Sequence, residues 1–489
     1  MVNFADYYKN YIDGEWVDGG SGRIDVVNPG TGEVITTHAL ANAEDVDRAV
    51  QAAKRVHLSG VLTAPRPVER GRMVKAMGQH ILDNLDMYAQ LLCAEQGKPM
   101  WEALVEIRGS ARYFEYYGNQ AETLEGKSIP LGNGYIDYTV YEPYGVTAHI
   151  IPWNYPVEMA ARSISCALTS GNTIVVKSAE LTPVTSMIWA HAAEAAGFPA
   201  GTVNVVCGYG HEAGAALAGH PDVRQVVFTG SVATGSAVAQ AAAKNIAPCV
   251  LELGVKSAAI VHDDADLDAF ERDIRWGIFF NAGQVCTAMS RVLVHESRKD
   301  ELVDKAVTIA KSLSVGPGVD RPEFGANMGP MISVAQRDRA AALVAGAVEE
   351  GATLETGGHA MNIPGSFLEP TILSNVTPDM TVAQTEIFGP VMSIISFKDE
   401  DEAFEISNGT EFGLVGGVFT KDLGRAMRAT RAVRAGQVFV NEWYAGGVET
   451  PFGGYGKSGY GREKGREALW NYMQTKNVAI KMSSPDGRL

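Results

Sequence analysis

Between residues 146 and 261 five short apolar runs rich in β-branched residues follow one another: VTAHII, TIVVK, TVNVV, QVVF and SAAIV. Three of the four intervals carry a helix-forming stretch, such as TSMIWAHAAEAAG or ATGSAVAQAAAKN. A strand that returns to its own sheet through a helix runs parallel to its predecessor. The alternation therefore confines this region to βαβ units, a parallel sheet covered by helices on both faces. A second alternation runs from about 290 to 441. Two α/β lobes joined by crossing chain segments is the simplest architecture, and 489 residues at roughly 150 per domain leave room for it. Upstream, Met73, Met77, Ile81, Leu85, Tyr88 and Leu92, spaced by three and four, predict one amphipathic helix over 71–92. KNVAIKM, near the end, reads as an added strand outside both lobes.

Charge and cysteine usage narrow the function. Lys and Arg number 41 against 57 Asp and Glu, a net charge of −16, so no nucleic acid and no anionic membrane surface is an expected partner. No stretch approaches the apolar length of a membrane span, and the first residues lack the basic and apolar regions of a secretory signal. Five cysteines, Cys93, Cys166, Cys207, Cys249 and Cys286, are odd in number and widely spaced, without a CxxC pair. That argues against a disulfide framework or a metal cluster and for a reducing, cytoplasmic setting.

Four segments have the makings of a site. QVVFTGSVATGSAVAQ is a strand, a glycine turn bracketed by Gly230 and Gly235, and a helix; free N–H groups at such a helix start favour a phosphate, although an ordinary strand–helix turn has the same pattern. In NAGQVCTAMSR, Cys286 lies in a short polar turn after the apolar RWGIFF. It is either a nucleophile or a buried structural thiol. In LELGVKS, Glu252 stands between two leucines at a strand end, where a carboxyl tends to have a raised pKa suited to a general base; pairing with Lys256 is the plain alternative. In IIPWNYPVEMAARS, Pro152 and Pro156 restrict the turn that carries Asn154. Its amide can serve an oxyanion hole or cap the following helix.

Taken together and in order, YIDGEWV, PWNYP, GNTIVVKSAELTP, FTGSVATG, LELGVKS, GQVC, EIFGPV and PFGGYGKSGYGREKG closely resemble the NAD(P)-dependent aldehyde dehydrogenase superfamily, in its hydrolytic branch. The resemblance implies an α/β fold: a doubly wound, Rossmann-type cofactor domain over 1–122 and 142–251, an α/β catalytic domain over 252–455, and a β-flap, 123–141 with 468–489, that joins subunits into a homodimer or homotetramer. It implies NAD as cofactor, with NADP less favoured, and a small aldehyde as substrate. Cys286 is then the nucleophile that forms a thiohemiacetal and a thioester. Asn154 and the Cys286 N–H form the oxyanion hole, and Glu252 is the base that activates water. Lys177 and Glu180 hold the adenosine ribose, Ser231 a pyrophosphate oxygen, and Glu386, with Phe388 beside it, the nicotinamide ribose. Ile151, Trp153, Gly210, Phe228, Gly230 and Gly254 complete the cofactor set.

The chain departs from the family at Val255, where a glycine is usual and a β-branched residue resists positive φ. Ser178 replaces a frequent proline. The CoA-acylating branch generally lacks the glutamate that stands here as Glu252. A non-enzymatic use of the fold is disfavoured by the presence of both Cys286 and Asn154, and no histidine lies in a local motif that pairs with Cys286 as in a thiol protease. Met159, Trp443 and Tyr444 are the expected tunnel residues, suited to an apolar or aromatic aldehyde. Arg162, eight residues after Asn154, either reads a distal carboxylate, as in a semialdehyde dehydrogenase, or pairs internally with Glu158. Phe280 occupies the position where such members carry a second arginine.

Overall fold

The computed structural model describes residues 4–318 and 327–482. The first lobe is built on strands β1 (Asn10–Ile12), β2 (Glu15–Val17), β3 (Val146–Ile150), β4 (Thr173–Ser178), β5 (Val203–Cys207), β6 (Gln225–Thr229) and β7 (Cys249–Glu252). The second is built on β8 (Ala258–Val261), β9 (Arg291–His295), β10 (Thr353–Thr356), β11 (Thr371–Ser374), β12 (Val391–Phe397), β13 (Val415–Phe419) and β14 (Gln437–Val440). A last short strand, β15 (Gly459–Tyr460), crosses back into the first sheet.

The first sheet has the order β15-β7-β6-β3-β4-β5-β1-β2. From β7 to β5 every pairing is parallel, and the antiparallel β15 and β1 close the two ends of that block. After β5 the chain returns to the other side of β3, so the winding reverses between β3 and β6. This is a doubly wound sheet, and its switch point is where a ligand crevice opens. Successive residues of β4 bury on opposite faces: Val175 packs with Val46, Ala49 and Val50 of the helix Ala43–Ser59, while Ile174 and Val176 face the larger core that holds Ile164 and Leu168. A strand covered on both faces has to be apolar throughout, which is why these runs lack alternation.

The second sheet runs β10-β11-β12-β9-β8-β13-β14, parallel except for the β10–β11 edge. SAAIV therefore does not close the first sheet. It opens the second as β8, and the fifth parallel strand of the first sheet is β7. The helix expected over 71–92 is two helices, Pro67–Asp83 and Leu85–Gln96. Asn84 breaks it by turning its side-chain amide back onto the His80 carbonyl at 2.8 Å, a local bond that competes with helix continuation.

Outside both lobes, Tyr135–Pro143 pairs antiparallel with Met473–Lys481 over nine residues in a two-stranded ribbon, where the flap and the added strand were expected. Residues 483–489 of the expected 468–489 segment lie outside the described residues. Among the described residues no helix is long and apolar enough to cross a membrane.

Candidate active site

Helix α1 (Met100–Gln120), helix α2 (Pro156–Thr169), helix α3 (Val232–Ala243) and helix α4 (Leu267–Phe279) carry the site or frame it. After α4 the chain turns through Asn281, Ala282 and Gly283, with φ of 48°, 51° and 70°. Left-handed backbone at two non-glycine residues costs roughly 1–3 kcal/mol each and persists only where the surroundings impose it. Here they do. Glu102 accepts from the Asn281 N–H at 2.9 Å, the Gln284 amide donates to the Asn281 carbonyl at 3.0 Å, and Gln284 Oε1 accepts from the Ile332 N–H at 2.8 Å. Gly283 is required by close approach, since a Cβ there would lie 2.1 Å from the Gly389 carbonyl oxygen.

This turn sets Cys286 where two cavities meet: it lines one of about 700 Å³ and another of about 590 Å³. Burial pushes its thiol up to about 12; Arg162 pulls the other way, and Glu252, Glu386 and Glu463 add to the rise. Cys93, Cys166 and Cys207 are buried, as expected of thiols that serve as small hydrophobes.

Asn154 and Glu252 line the smaller cavity with Cys286. Asn154 does not cap α2, whose N-cap is Tyr155 without a side-chain bond. Instead its amide nitrogen donates to the Gln284 carbonyl at 3.0 Å, tying the Pro152–Pro156 turn to the cysteine turn. What holds Asn154 from behind comes from a distant segment with no local sign in the chain. Lys98 donates to Glu106 and, at 3.0 Å, to the Asn154 carbonyl, and Glu106 accepts from the N–H groups of Val157 and Glu158 at 3.0 and 3.1 Å. A carboxylate at the start of α2 satisfies its free donors and suits its dipole.

Glu252 ends β7, 3% exposed, with neither carboxylate oxygen hydrogen-bonded among the described residues. Burial, and then the neighbouring Glu463 carboxyl, holds it well above the ordinary carboxylate range. It does not pair with Lys256, whose ammonium is also without a hydrogen-bond partner among the described residues. The reason is local: 253–257 is not helical, so residues four apart do not share a face. Val255 resolves the departure noted above, since it has no positive φ and its N–H donates to Glu386 Oε1 at 3.1 Å.

The smaller cavity opens at the β3–β6 switch point and is also lined by Trp153, Gly230, Ser231, Gly254, Glu386 and Phe388. Two glycines keep it clear. A Cβ at Gly254 would lie 2.7 Å from Glu386 Oε2, and one at Gly230 would lie 2.6 Å from the Phe228 ring beneath it. Ser231 caps α3, accepting from the Thr234 N–H at 3.2 Å, so the free N–H groups of that helix start face the crevice end of the sheet. Trp153 and Phe388 meet edge to face at 5.4 Å, and Glu386 is raised to about 7 by burial, with the Val255 N–H and Lys256 opposing. Ile151 is buried and lies outside the lining, its N–H on the Lys177 carbonyl at 3.0 Å. Beyond the cavity, Lys177, at the carboxyl end of β4, forms an ion pair at 3.2 Å with Glu180 just past it. Gly210 is exposed at the start of the turn Gly210–Gly214 and does not line the cavity.

The larger cavity is walled by aromatics, among them Tyr113, Tyr155, Trp276, Phe280, Trp443 and Tyr444. Trp443 is fixed by its indole N–H on the Thr287 carbonyl at 3.0 Å and by Asp273, which accepts its backbone N–H at 2.7 Å. Met159 does not reach this space. It is 4% exposed in the core. Glu158 and Arg162, one turn apart on α2, face the cavity, and one residue of helix turns Met159 about 100° away. Arg162 lines the wall; it donates to Glu158 at 3.2 Å and sits 3.6 Å from Glu463, while its Nε and Nη1 have no hydrogen-bond partner among the described residues. Glu463 and Lys464 are the residues here that sequence reasoning missed as individuals, although both lie within the GYGREKG run.

Residues 16–478 match the Aldehyde dehydrogenase family. Retinal dehydrogenase 2 of Homo sapiens is 40% identical over 480 residues, covering 97% of this chain and 92% of that protein. Aldehyde dehydrogenase family 2 member B4, mitochondrial, of Arabidopsis thaliana is 42% identical over 477 residues, covering 97% and 88%. Among solved structures, the NAD+ complex of an aldehyde dehydrogenase from Bacillus cereus superposes with a TM-score of 0.95 at 36% identity, covering 98% of this chain and 97% of that one. The chain belongs to the aldehyde dehydrogenase family. It is an oxidoreductase with the aldehyde-dehydrogenase fold, and its reaction is the oxidation of an aldehyde.

Proposed function

We propose that the chain oxidises an aldehyde to its carboxylic acid with NAD, through a thiohemiacetal and then a thioester on Cys286 that water hydrolyses. One observation carries this reading: Cys286 stands at the junction of an aromatic cavity and a glycine-cleared cavity at the sheet's switch point, with Asn154 and Glu252 lining the second. Attack of the Cys286 sulfur puts negative charge on the carbonyl oxygen. A side-chain amide has two N–H donors, and Asn154 commits one to Gln284. The other serves the oxyanion together with the Cys286 N–H. NAD, when bound, supplies a hydride acceptor. Trp153, Gly230, Ser231, Gly254, Glu386 and Phe388 hold it in the smaller cavity, above Phe228 and Ile151, and Lys177 and Glu180 hold its adenosine end. Once the thioester has formed, Glu252 takes the proton of the attacking water. A carboxyl that burial and the Glu463 carboxyl hold above the ordinary range is a stronger base than an ordinary one.

Hydrolysis and acyl transfer to CoA are separated by one assay. NADH formation with an aldehyde and NAD is expected to proceed to free acid without CoA, and CoA is expected neither to be required nor to be acylated. Dependence on CoA would reassign the chain to the acylating branch.

Glu180 supports NAD over NADP. A carboxylate beside the ribose accepts the 2′-hydroxyl and repels a 2′-phosphate, and Lys177 at 3.2 Å holds it at the strand end. The expected kcat/KM ratio favours NAD by about tenfold or more, the effect of one charge-assisted hydrogen bond, and Glu180→Gln narrows it. Equal ratios in the wild type would defeat the assignment.

The ribbon of Tyr135–Pro143 and Met473–Lys481 exposes Ile136, Tyr138 and Ile480, and a homodimer or homotetramer built through it covers them. Free cysteines suit a reducing compartment such as the cytoplasm.

A further inference from the structure

The charged side chains on the wall of the larger cavity are Arg112, Glu158, Arg162, Arg272, Asp273, Glu442 and Lys464. Nearly all are spoken for. Arg112 pairs with Glu115 and Glu449, Arg162 with Glu158 and Glu463, Arg272 with Glu442, and Asp273 accepts the Trp443 N–H. Lys464 alone has no ion-pair or hydrogen-bond partner among the described residues. Its ammonium has only the face of Phe452, at 5.6 Å from the ring centroid.

The backbone delivers it there deliberately. Lys464 is a non-glycine residue at φ 57°. The N–H of Glu463 donates to the Phe452 carbonyl and that of Gly465 to the Val448 carbonyl, both at 2.7 Å, while Tyr117 donates to the Gly465 carbonyl at 2.9 Å. A conformation that costs energy is pinned on both sides, and it turns a cation toward the cavity that holds the Cys286 thiol. Among the described residues no carboxylate lies within ion-pair distance of this ammonium, although Glu158 and Glu463 act on it from further off, and a partly desolvated ammonium without a close partner is an expensive arrangement unless a ligand completes it. The same wall carries further unmet donors: the hydroxyls of Tyr155 and Tyr444 and the Nε and Nη1 of Arg162 are buried without a hydrogen-bond partner among the described residues.

We infer that the tunnel takes an aldehyde whose unsaturated or aromatic body carries an anionic oxygen group, a carboxylate, and that Lys464 is the residue that selects it. This rests on Cys286 as the reacting thiol. Arg162, engaged by two carboxylates, shapes the wall and leaves the reading of charge to Lys464. The aromatic walls favour a flat substrate body, and the free ammonium favours a carboxylate on it.

The test compares 4-formylbenzoate with 4-methylbenzaldehyde, rigid probes of similar size. Wild-type kcat/KM is expected to favour the carboxylate by about tenfold or more, the contribution of one charge-assisted contact. Lys464→Met is expected to collapse that ratio, Lys464→Arg to keep most of it, and Arg162→Leu to change it far less than Lys464→Met does. Product inhibition of the unaltered enzyme gives an independent reading should the variants fold poorly: terephthalate is expected to compete about tenfold more tightly than 4-methylbenzoate. A wild-type ratio near one, a ratio unchanged in a folded Lys464→Met, equal inhibition by the two acids, or a preference for 4-(trimethylammonio)benzaldehyde overturns the inference. If 4-methylbenzaldehyde is oxidised normally in those cases, the Cys286 chemistry stands and the charge selection alone fails. If neither neutral nor charged aldehyde is oxidised with NAD, it is the underlying reading that fails.

Discussion

Replacing Cys286 by alanine is expected to lower NADH formation by at least about 10⁴-fold, the scale on which removal of a covalent nucleophile acts. An aldehyde does not readily give up hydride until a nucleophile has added to its carbon. Among the five thiols only Cys286 lines the two cavities, and Cys93, Cys166 and Cys207 are buried. No second thiol is placed to substitute. NAD binding is expected to survive nearly unchanged, because the smaller cavity is walled mainly by other segments: the Pro152–Asn154 turn, the β6–α3 turn and Glu386 with Phe388. Turnover at more than about a hundredth of the wild-type rate, with NAD binding confirmed by fluorescence titration, would remove Cys286 from the mechanism.

The second large effect is on the other half of the cycle. Glu252→Gln keeps size and shape and removes the base, so thioester hydrolysis is expected to slow by about 10²–10⁴-fold. A fast burst of roughly one NADH per active site should then precede a very slow steady rate, as is characteristic of an acyl-enzyme that accumulates. Neutralising this site is structurally mild: Glu252 has no hydrogen-bond partner among the described residues to lose, and the swap relieves repulsion with Glu463. A burst that vanishes while NAD still binds would mean that Glu252 acts before hydride transfer, for instance on the Cys286 thiol that burial holds high.

Local chemistry made the first sheet legible, because a strand covered on both faces must be an unbroken apolar run, and four such runs became β3 to β6. The boundary between lobes was less legible. β7 and β8 lie six residues apart, and nothing in CVLE or AAIV says which sheet each joins; β15, two residues long, decides it by crossing back to pair with β7. Asn154, Glu252 and Cys286 were visible because each stands in a distinctive short run. Their supports were not, since Lys98, Glu102 and Glu106 act across 51–179 residues of chain and have no periodicity of their own. Met159 failed as a tunnel residue because proximity in sequence to Asn154 says nothing of helix face, and Lys464 went unnoticed because a lysine at positive φ has no signature in sequence.

The most direct measurement is the mass of the Glu252→Gln enzyme, acid-quenched within the burst after mixing with NAD and 4-methylbenzaldehyde. The expected result is a single adduct equal to the aldehyde's mass less two hydrogen atoms, located by peptide mapping on Cys286 and absent from the Cys286→Ala/Glu252→Gln double variant. A full NADH burst with Cys286 unmodified, or with the acyl group on another residue, would contradict the thioester route through Cys286.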